Sequence, residues 1–375
     1  MSSTLQMILM AGLQKQEEYN WKDSNLALFG SDVEKQVKLE SAQSEPAWNN
    51  SGQKVGLEIW RIVKFNVEKW PKEDHGRFYE GDSYIILNTY KNPDEDALEY
   101  DVHFWIGKYS TQDEYGTAAY KTVELDTYHN DKPVQHREVQ YHESNLFKSY
   151  FKEGLTYLKG GADSGFRHVK PTEYTPRLLH FHGDTLNDVV VKQVGLIRQN
   201  LNDHDVFALD AGLKIYQING PKSDKDERFK ALLYIQRLRD ERNGRPKVEV
   251  IDDDPLKDRD IMEILKDGET ESHEDEAPIE NDTRVLLRIS DADGELKMET
   301  VAEGEIQKEM LDPNDVFLVD LGVHLYVWVG DGASSNESKN GLSYASNYLN
   351  EVNRFSCPIT VVPQGRAAQL YRELS

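Results

Sequence analysis

The chain has a single cysteine, Cys357, in 375 residues. That excludes a framework of internal disulfides and fits a reducing compartment, with the cytosol the natural expectation. No apolar run approaches the ~20 residues that a helix needs to cross a bilayer. The stretch Leu5 to Leu13 is apolar, but no basic residue precedes it and no convincing small-residue cleavage site follows, so it reads as mature sequence and not as a signal peptide. Positive charge is scarce: 44 Lys and Arg stand against 67 Asp and Glu, for a net charge of −23. Nucleic acid is therefore not the expected partner, because phosphate binding depends on neutralisation by Lys and Arg. A P-loop, a dinucleotide glycine fingerprint, a nucleophile elbow and an HExxH stretch are all missing, which makes catalysis the weakest functional class.

Against these absences stands a pattern used three times. In the first copy Gly81-Asp82 opens the strand-like run Ser83 to Leu87, the run Tyr100 to Ile106 ends at Gly107, and Gln112-Asp113-Glu114 opens a helical stretch. The second has Asp205 before Val206 to Leu209, a run ending at Gly220, and Asp226-Glu227. The third has Asp315 before Val316 to Val319, a run ending at Gly330, and Asn336-Glu337. Glycine and glutamate are seven residues apart each time. Aspartate and glycine are fifteen apart in the second and third copies and twenty-five in the first, which carries the extra polar loop Tyr90 to Tyr100. An insertion at a hairpin tip leaves the strands in register.

Each copy closes with a β-rich run and a short helical one: Arg137 to Tyr141 before Asn145 to Phe151, Lys247 to Ile251 before Asp258 to Leu265, and Pro358 to Val362 before Arg366 to Leu374. Opening strands are expected at Leu57 to Ile62 and Arg284 to Ile289. The fold class is therefore α/β, with three modules of about 100 residues, each a central mixed sheet between a long and a short helix. The expected boundaries are an N-terminal extension over 1–52, modules over 53–160, 161–268 and 283–375, and an acidic linker over 269–282. Within the extension, Trp21, Leu26, Leu28 and Phe29 are candidates to dock on a neighbouring surface. The stretch 252–282 holds fourteen acids against three bases, a net of −11. Such a run reads first as a solvated hinge; ligation of a metal by some of its acids is the second reading.

Gly-Leu-Glu-Ile-Trp-Arg-Ile at 56–62, Gly81-Asp82-Ser83-Tyr84, Gln112-Asp113-Glu114, Val134-Gln135-His136-Arg137-Glu138 and Gly160-Gly161-Ala162-Asp163-Ser164-Gly165-Phe166 resemble signatures of the gelsolin superfamily. The resemblance covers about residues 45–375, and three modules are similar to its severin and fragmin branch. It implies a calcium-regulated, non-enzymatic protein that binds actin monomers and filaments, severs filaments and caps their barbed ends, with nucleation a further activity it allows. The alternative is a calcium-dependent actin monomer binder or capper that does not sever. The chain by itself is expected to be a monomer.

Calcium takes six to eight oxygens from carboxylates, carbonyls and water. The candidate ligands are Gly81 (carbonyl), Asp82 and Glu114 in the first module, Asp205 and Glu227 with the His204 carbonyl in the second, and Asp315 and Glu337 with the Asn314 carbonyl in the third. An unassigned acid after Ile251 would complete the second cage. The plainer reading is that each aspartate caps a turn and each glutamate a first helical turn. The resemblance adds the carbonyl of Ala162 to the first cage, and an incomplete cage at the far end of the first long helix from Asp126 and the carbonyls of Asp131 and Pro133, to be shared with actin.

At 100° per residue, Tyr115, Ala118, Ala119, Thr122 and Leu125 form the sheet-facing side of the first long helix, and Tyr120, Val123 and Thr127 lie roughly opposite. By resemblance that outer face enters a cleft of actin. In the second module Ala231, Tyr234, Ile235 and Leu238 make a core stripe. Arg167, Lys170, Arg228, Lys230, Arg237 and Arg239 are candidates to bind the side of the filament. The stretches 152–159 and 177–184 are poorer in Lys and Arg than the family's phosphoinositide-binding segments, which weighs against lipid regulation or confines it to low pH, where His180 and His182 carry charge. His180-Phe181-His182 puts two imidazoles on one side of a strand, but the sequence offers no spaced third ligand for zinc.

Overall fold

The protein is described by a computed structural model covering residues 42–92, 97–162, 175–186, 188–252, 254–269 and 284–374. The first module's stretch contains β1 (Gly56–Val63), β2 (Asn66–Lys69), β3 (Arg77–Tyr79), β4 (Ser83–Lys91), β5 (Leu98–Ile106), α1 (Gln112–Tyr128), β6 (Val134–Val139), α2 (Asn145–Ser149) and β7 (Thr156–Leu158). The second contains β8 (Arg177–His182), β9 (Val190–Val194), β10 (Val206–Asp210), β11 (Lys214–Asn219), α3 (Lys225–Glu241), β12 (Lys247–Ile251) and α4 (Arg259–Ile264). The third contains β13 (Val285–Ser290), β14 (Lys297–Glu303), β15 (Val316–Asp320), β16 (Leu325–Val329), α5 (Ser335–Glu351), β17 (Ile359–Pro363) and α6 (Ala368–Leu374).

The three long helices are each 17 residues, and each links two strands that run parallel: β5 to β6, β11 to β12 and β16 to β17. A parallel pair needs such a crossover, whereas antiparallel neighbours such as β10 and β11 or β15 and β16 are joined by short turns. The central strands are buried on both faces because a helix covers each. In β4, Ile85 and Leu87 face the core under α1, while Tyr84 and Ile86 join Phe147 of α2 on the other side. The expected inner face of α1 is where it was placed: Ala118, Thr122 and Leu125 are buried, with Tyr115 and Ala119 packed beside them. Ala231, Tyr234, Ile235 and Leu238 are likewise buried.

The sheets do not stop at module boundaries. β17 pairs antiparallel with β6, so the strands of the first and third modules form one ten-stranded sheet in the order β14-β13-β15-β16-β17-β6-β5-β4-β1-β2. β3 and β7, although they come from the first module's stretch, lie at the edge of a seven-stranded sheet with the second module's strands, through a β7–β9 pair. The polar end of the N-terminal extension also packs: Trp48 is fully buried in the first core, edge-on to Trp60 at 5.2 Å, and donates through Nε1 to Glu124 at 2.9 Å. Trp21, Leu26, Leu28 and Phe29 lie outside the described residues.

Candidate functional site

The thrice-used glycine has a steric cause. Gly107, Gly220 and Gly330 end β5, β11 and β16 against the backbone that precedes β4, β10 and β15, and each N–H donates to the carbonyl of Asp82, Asp205 or Asp315 at 3.0, 2.9 and 3.2 Å. A Cβ on each would sit 2.8 Å from that same carbonyl oxygen. The close approach delivers the aspartate and the start of the long helix to one end of each sheet.

There each helix opens with a capping box. Thr111, Asp224 and Ser334 are the N-caps, and Glu114, Glu227 and Glu337 accept from their N–H groups at 3.1, 3.1 and 2.8 Å. Two of the glutamates reach further: Oε1 of Glu227 accepts from the Gly183 N–H at 3.1 Å, and Oε1 of Glu337 from the Asp291 N–H at 2.8 Å. The residue following the opening strand thus joins the site in both modules. Asp291 also accepts from the Ser334 hydroxyl at 2.8 Å. Sequence reasoning missed Asp291, since its only signal is its place immediately after β13.

The aspartates have three different surroundings. Asp82 is fully buried; its Oδ1 accepts from the Ala162 N–H at 2.6 Å, and Arg61, held over the rings of Trp70 and Tyr79, makes an ion pair with Oδ2 at 2.5 Å. Burial pushes its carboxyl up to about 6 against the opposing pull of Arg61. The donors at Asp82 and Glu114 are oxygens, as calcium requires, and the Arg61 guanidinium stands in for the cation at Asp82. In the third module, Asp315, Glu337 and Asp291 also present oxygens, with Arg288 3.8 Å from Asp315. Asn314 bonds Asp312, through its backbone N–H at 3.0 Å and its side chain at 2.9 Å.

Asp205 differs. His180 Nε2 and His182 Nδ1 lie 2.7 and 2.8 Å from its two oxygens, and Asn202 donates to it at 2.7 Å. Burial works against ionisation here, but these bonds outweigh it and hold the carboxyl far below the usual carboxylate range. This donor set of two nitrogens and a carboxylate does not fit calcium, which selects oxygen. His204 donates its N–H to Asn202 at 2.8 Å. Among the described residues, Asp252 is the acid after Ile251 that reaches this end of the sheet, accepting from Asn219 at 2.8 Å.

At the far end of α1, Asp126 is buried, and burial and then Asp131 raise its carboxyl to about 7. Oδ2 accepts from Gln135 at 2.7 Å, while Oδ1 is buried with no hydrogen-bond partner among the described residues. Asn130 and Asp131 take left-handed backbone, φ 60° and 56°, as the chain turns toward buried Pro133. An orphaned buried carboxylate oxygen beside a second acid fits a divalent cation.

On the outer side of α1, Gly116 and Tyr120 are exposed and Val123 and Thr127 half-buried, one stripe spaced four, three and four residues apart. The basic residues of α3 are mostly spoken for. Arg228 donates to Ser223 and the Gly220 carbonyl at 2.9 and 3.1 Å, Lys230 is buried, and Arg237 pairs with Glu153 at 2.5 Å and Glu241 at 3.1 Å. Arg239 is exposed, whereas Arg167 and Lys170 lie outside the described residues. Among its charged residues α3 also presents apolar side chains outward: Phe229, Leu232 and Leu233 are 48%, 40% and 48% exposed. The search for charge passed over them.

Three α/β repeats, each carrying an acidic pair where a long helix meets its sheet and offering outer helix faces, define a modular binding protein. The chain belongs to the gelsolin family: the Gelsolin repeat is matched at residues 64–148, 187–254 and 297–370. It is 50% identical over 368 residues to gelsolin-like protein 1 of Lumbricus terrestris, across 97% of this chain and 98% of that one. It is 43% identical over 370 residues to severin of Echinococcus granulosus, across 96% and 97%. With gelsolin of Drosophila melanogaster it shares 39% identity over 318 residues, 81% of this chain and 40% of that one.

Proposed function

We propose that this protein binds actin, severs its filaments and caps their barbed ends under calcium control. The observation that carries the reading is the outer face of α1. Gly116 has nothing within 4 Å of where a Cβ would lie, so no internal packing requires glycine there, although glycine in a helix costs roughly 1 kcal/mol relative to alanine. A partner that approaches the helix closely supplies the reason, and half-exposed Tyr120 with Val123 and Thr127 supplies the apolar contact. The outer residues of α3, Phe229, Leu232 and Leu233, provide a second surface suited to a filament's side.

Regulation follows from the seam between the first and third modules. Arg137 of β6 donates to the carbonyls of Cys357 and Phe355 at 3.2 and 2.9 Å and lies 4.3 Å from the Phe355 ring. Arg366 donates to the Lys132 carbonyl at 2.7 Å, next to Asp131. The Phe355 ring is 6.4 Å from that of Tyr115, so the third module stands beside the start of α1. We read this as the resting arrangement. Asp82 with Glu114, and Asp126 with Asp131 and Pro133, are the residues that would hold calcium, which supplies the positive charge that lets carboxylates from separate segments share one ion. Release of Asp82 from Arg61 and of the 131–133 turn from Arg366 then favours separation of the modules, to the extent of the difference in affinity between the two arrangements.

Fluorescent filaments watched by microscopy test this. Abrupt internal breaks that need calcium are expected; arrest of end growth without breaks would replace severing with the capping alternative. The first cage is tested by filament length across calcium concentrations with Asp82→Asn and Glu114→Gln together, which are expected to raise the calcium requirement or abolish activity.

A further inference from the structure

We propose that His180, His182 and Asp205 form a binding site for a divalent transition metal, with zinc as the ion the donors suit best and water completing its shell. The strand geometry assembles the site. His180 and His182 are two apart on β8 and so point to the same face. In the β8–β10 ladder Phe181 pairs with Val206 and His180 with Phe207, which places Asp205, one residue before Val206, level with His182. The face is shared: His180 stacks on Phe207 with centroids 4.7 Å apart at 11°.

One atom each from His180, His182 and Asp205 lies within 4.8 Å of the others. Glu227 Oε1 comes within 3.6 Å of His182 Nδ1 but stands outside that mutual set, at the start of α3, where it accepts from the Gly183 N–H. Zinc bonds imidazole nitrogen and carboxylate oxygen at about 2.0–2.2 Å, so neighbouring ligand atoms around a tetrahedral ion stand about 3.3 Å apart. The two imidazole–carboxylate contacts at 2.7 and 2.8 Å need to open only slightly to admit the ion. Asn202 donates to the same Asp205 oxygen that His180 meets, and His180 is 2% exposed, whereas the His182 side chain is 51% exposed and gives the ion a way in. Imidazole with carboxylate selects zinc-type ions, while calcium and magnesium take oxygen alone. The second cage therefore answers to a different ion from the first. The site rests on the second module's geometry, independent of whether the protein severs filaments.

The test is a titration of the full-length chain with zinc chloride against a competing chelator, and separately with cobalt, whose visible absorption intensifies when the ion leaves six-coordinate water for a four- or five-coordinate protein site. The wild type is expected to bind zinc tightly enough to compete and to show the cobalt band. His182→Ala, at a half-exposed position where folding is not at stake, is expected to weaken zinc binding by more than about tenfold, since loss of even an outer-shell partner costs about 10–100-fold. His142→Ala in the first module is expected to leave it unchanged. If the wild type and His182→Ala bind zinc equally, or the wild type shows no cobalt band, the site is refuted, whatever filaments do in the severing assay.

Discussion

At the scale of single residues, charge burial decides most of the chemistry. Arg61 and Asp82 form a pair that is 5% and 0% exposed, and breaking such a pair leaves one charge in a poor solvent. Arg61→Met is expected to lose about 3–5 kcal/mol in urea melts without calcium. Adding Asp82→Asn should return most of that loss, and a lone Arg61→Met with unchanged stability would show that the pair carries no load. Glu143 is a second case. It is buried, accepts from Trp105 and Tyr157 at 2.9 Å each, and burial pushes its carboxyl from 4.5 up to about 7. An acid whose folded value is raised binds its proton more tightly in the folded state, so its contribution is full below pH ~4.5 and is lost as pH rises through ~7. Glu143→Gln is expected to shrink the drop in unfolding midpoint between pH 5 and 8; an unchanged drop would assign it to other groups.

The long helices are where element-level logic was plainest. Their starts were legible because each capping box needs an N-cap and a glutamate three residues on, and because the preceding glycine has no room for a side chain. The inner faces followed from helical periodicity. The outer faces were only half legible: Tyr120, Val123 and Thr127 were placed from the helical wheel, but Phe229, Leu232 and Leu233 were not, because a second apolar stripe on one helix cannot be told from core by spacing alone. Gly116→Ala tests the outer face of α1 cleanly. It is expected to raise unfolding stability by up to about 1 kcal/mol, as the added methyl meets open space, while weakening actin co-sedimentation. A variant that is stabilised yet binds actin as before would remove Gly116 from the contact.

For the whole molecule, the seam of β6 with β17 is the feature with most leverage. Its polar centre is Thr360, which lies 3.0 Å from His136 and 2.8 Å from His324, and its rim is Arg137 over Phe355. A cation–π contact is worth about 0.5–2 kcal/mol. Phe355→Ala should therefore destabilise the joined arrangement by that order and lower the calcium needed for half-maximal severing by several-fold, read from filament length against calcium. An unchanged calcium requirement would dissociate the seam from control.

The sequence by itself determined the three modules, the ends of their helices and the acids at the sheet ends, because these depend on periodicity, turn sterics and caps that act within a few residues. Only the tertiary structure decided what those acids face. Asp82 meets Arg61 from β1, Asp205 meets His180 and His182 from β8, and β17 meets β6 across more than 200 residues of chain. A carboxylate's ion preference and a sheet edge's partner are set by neighbours brought close in space, and no local pattern encodes that proximity.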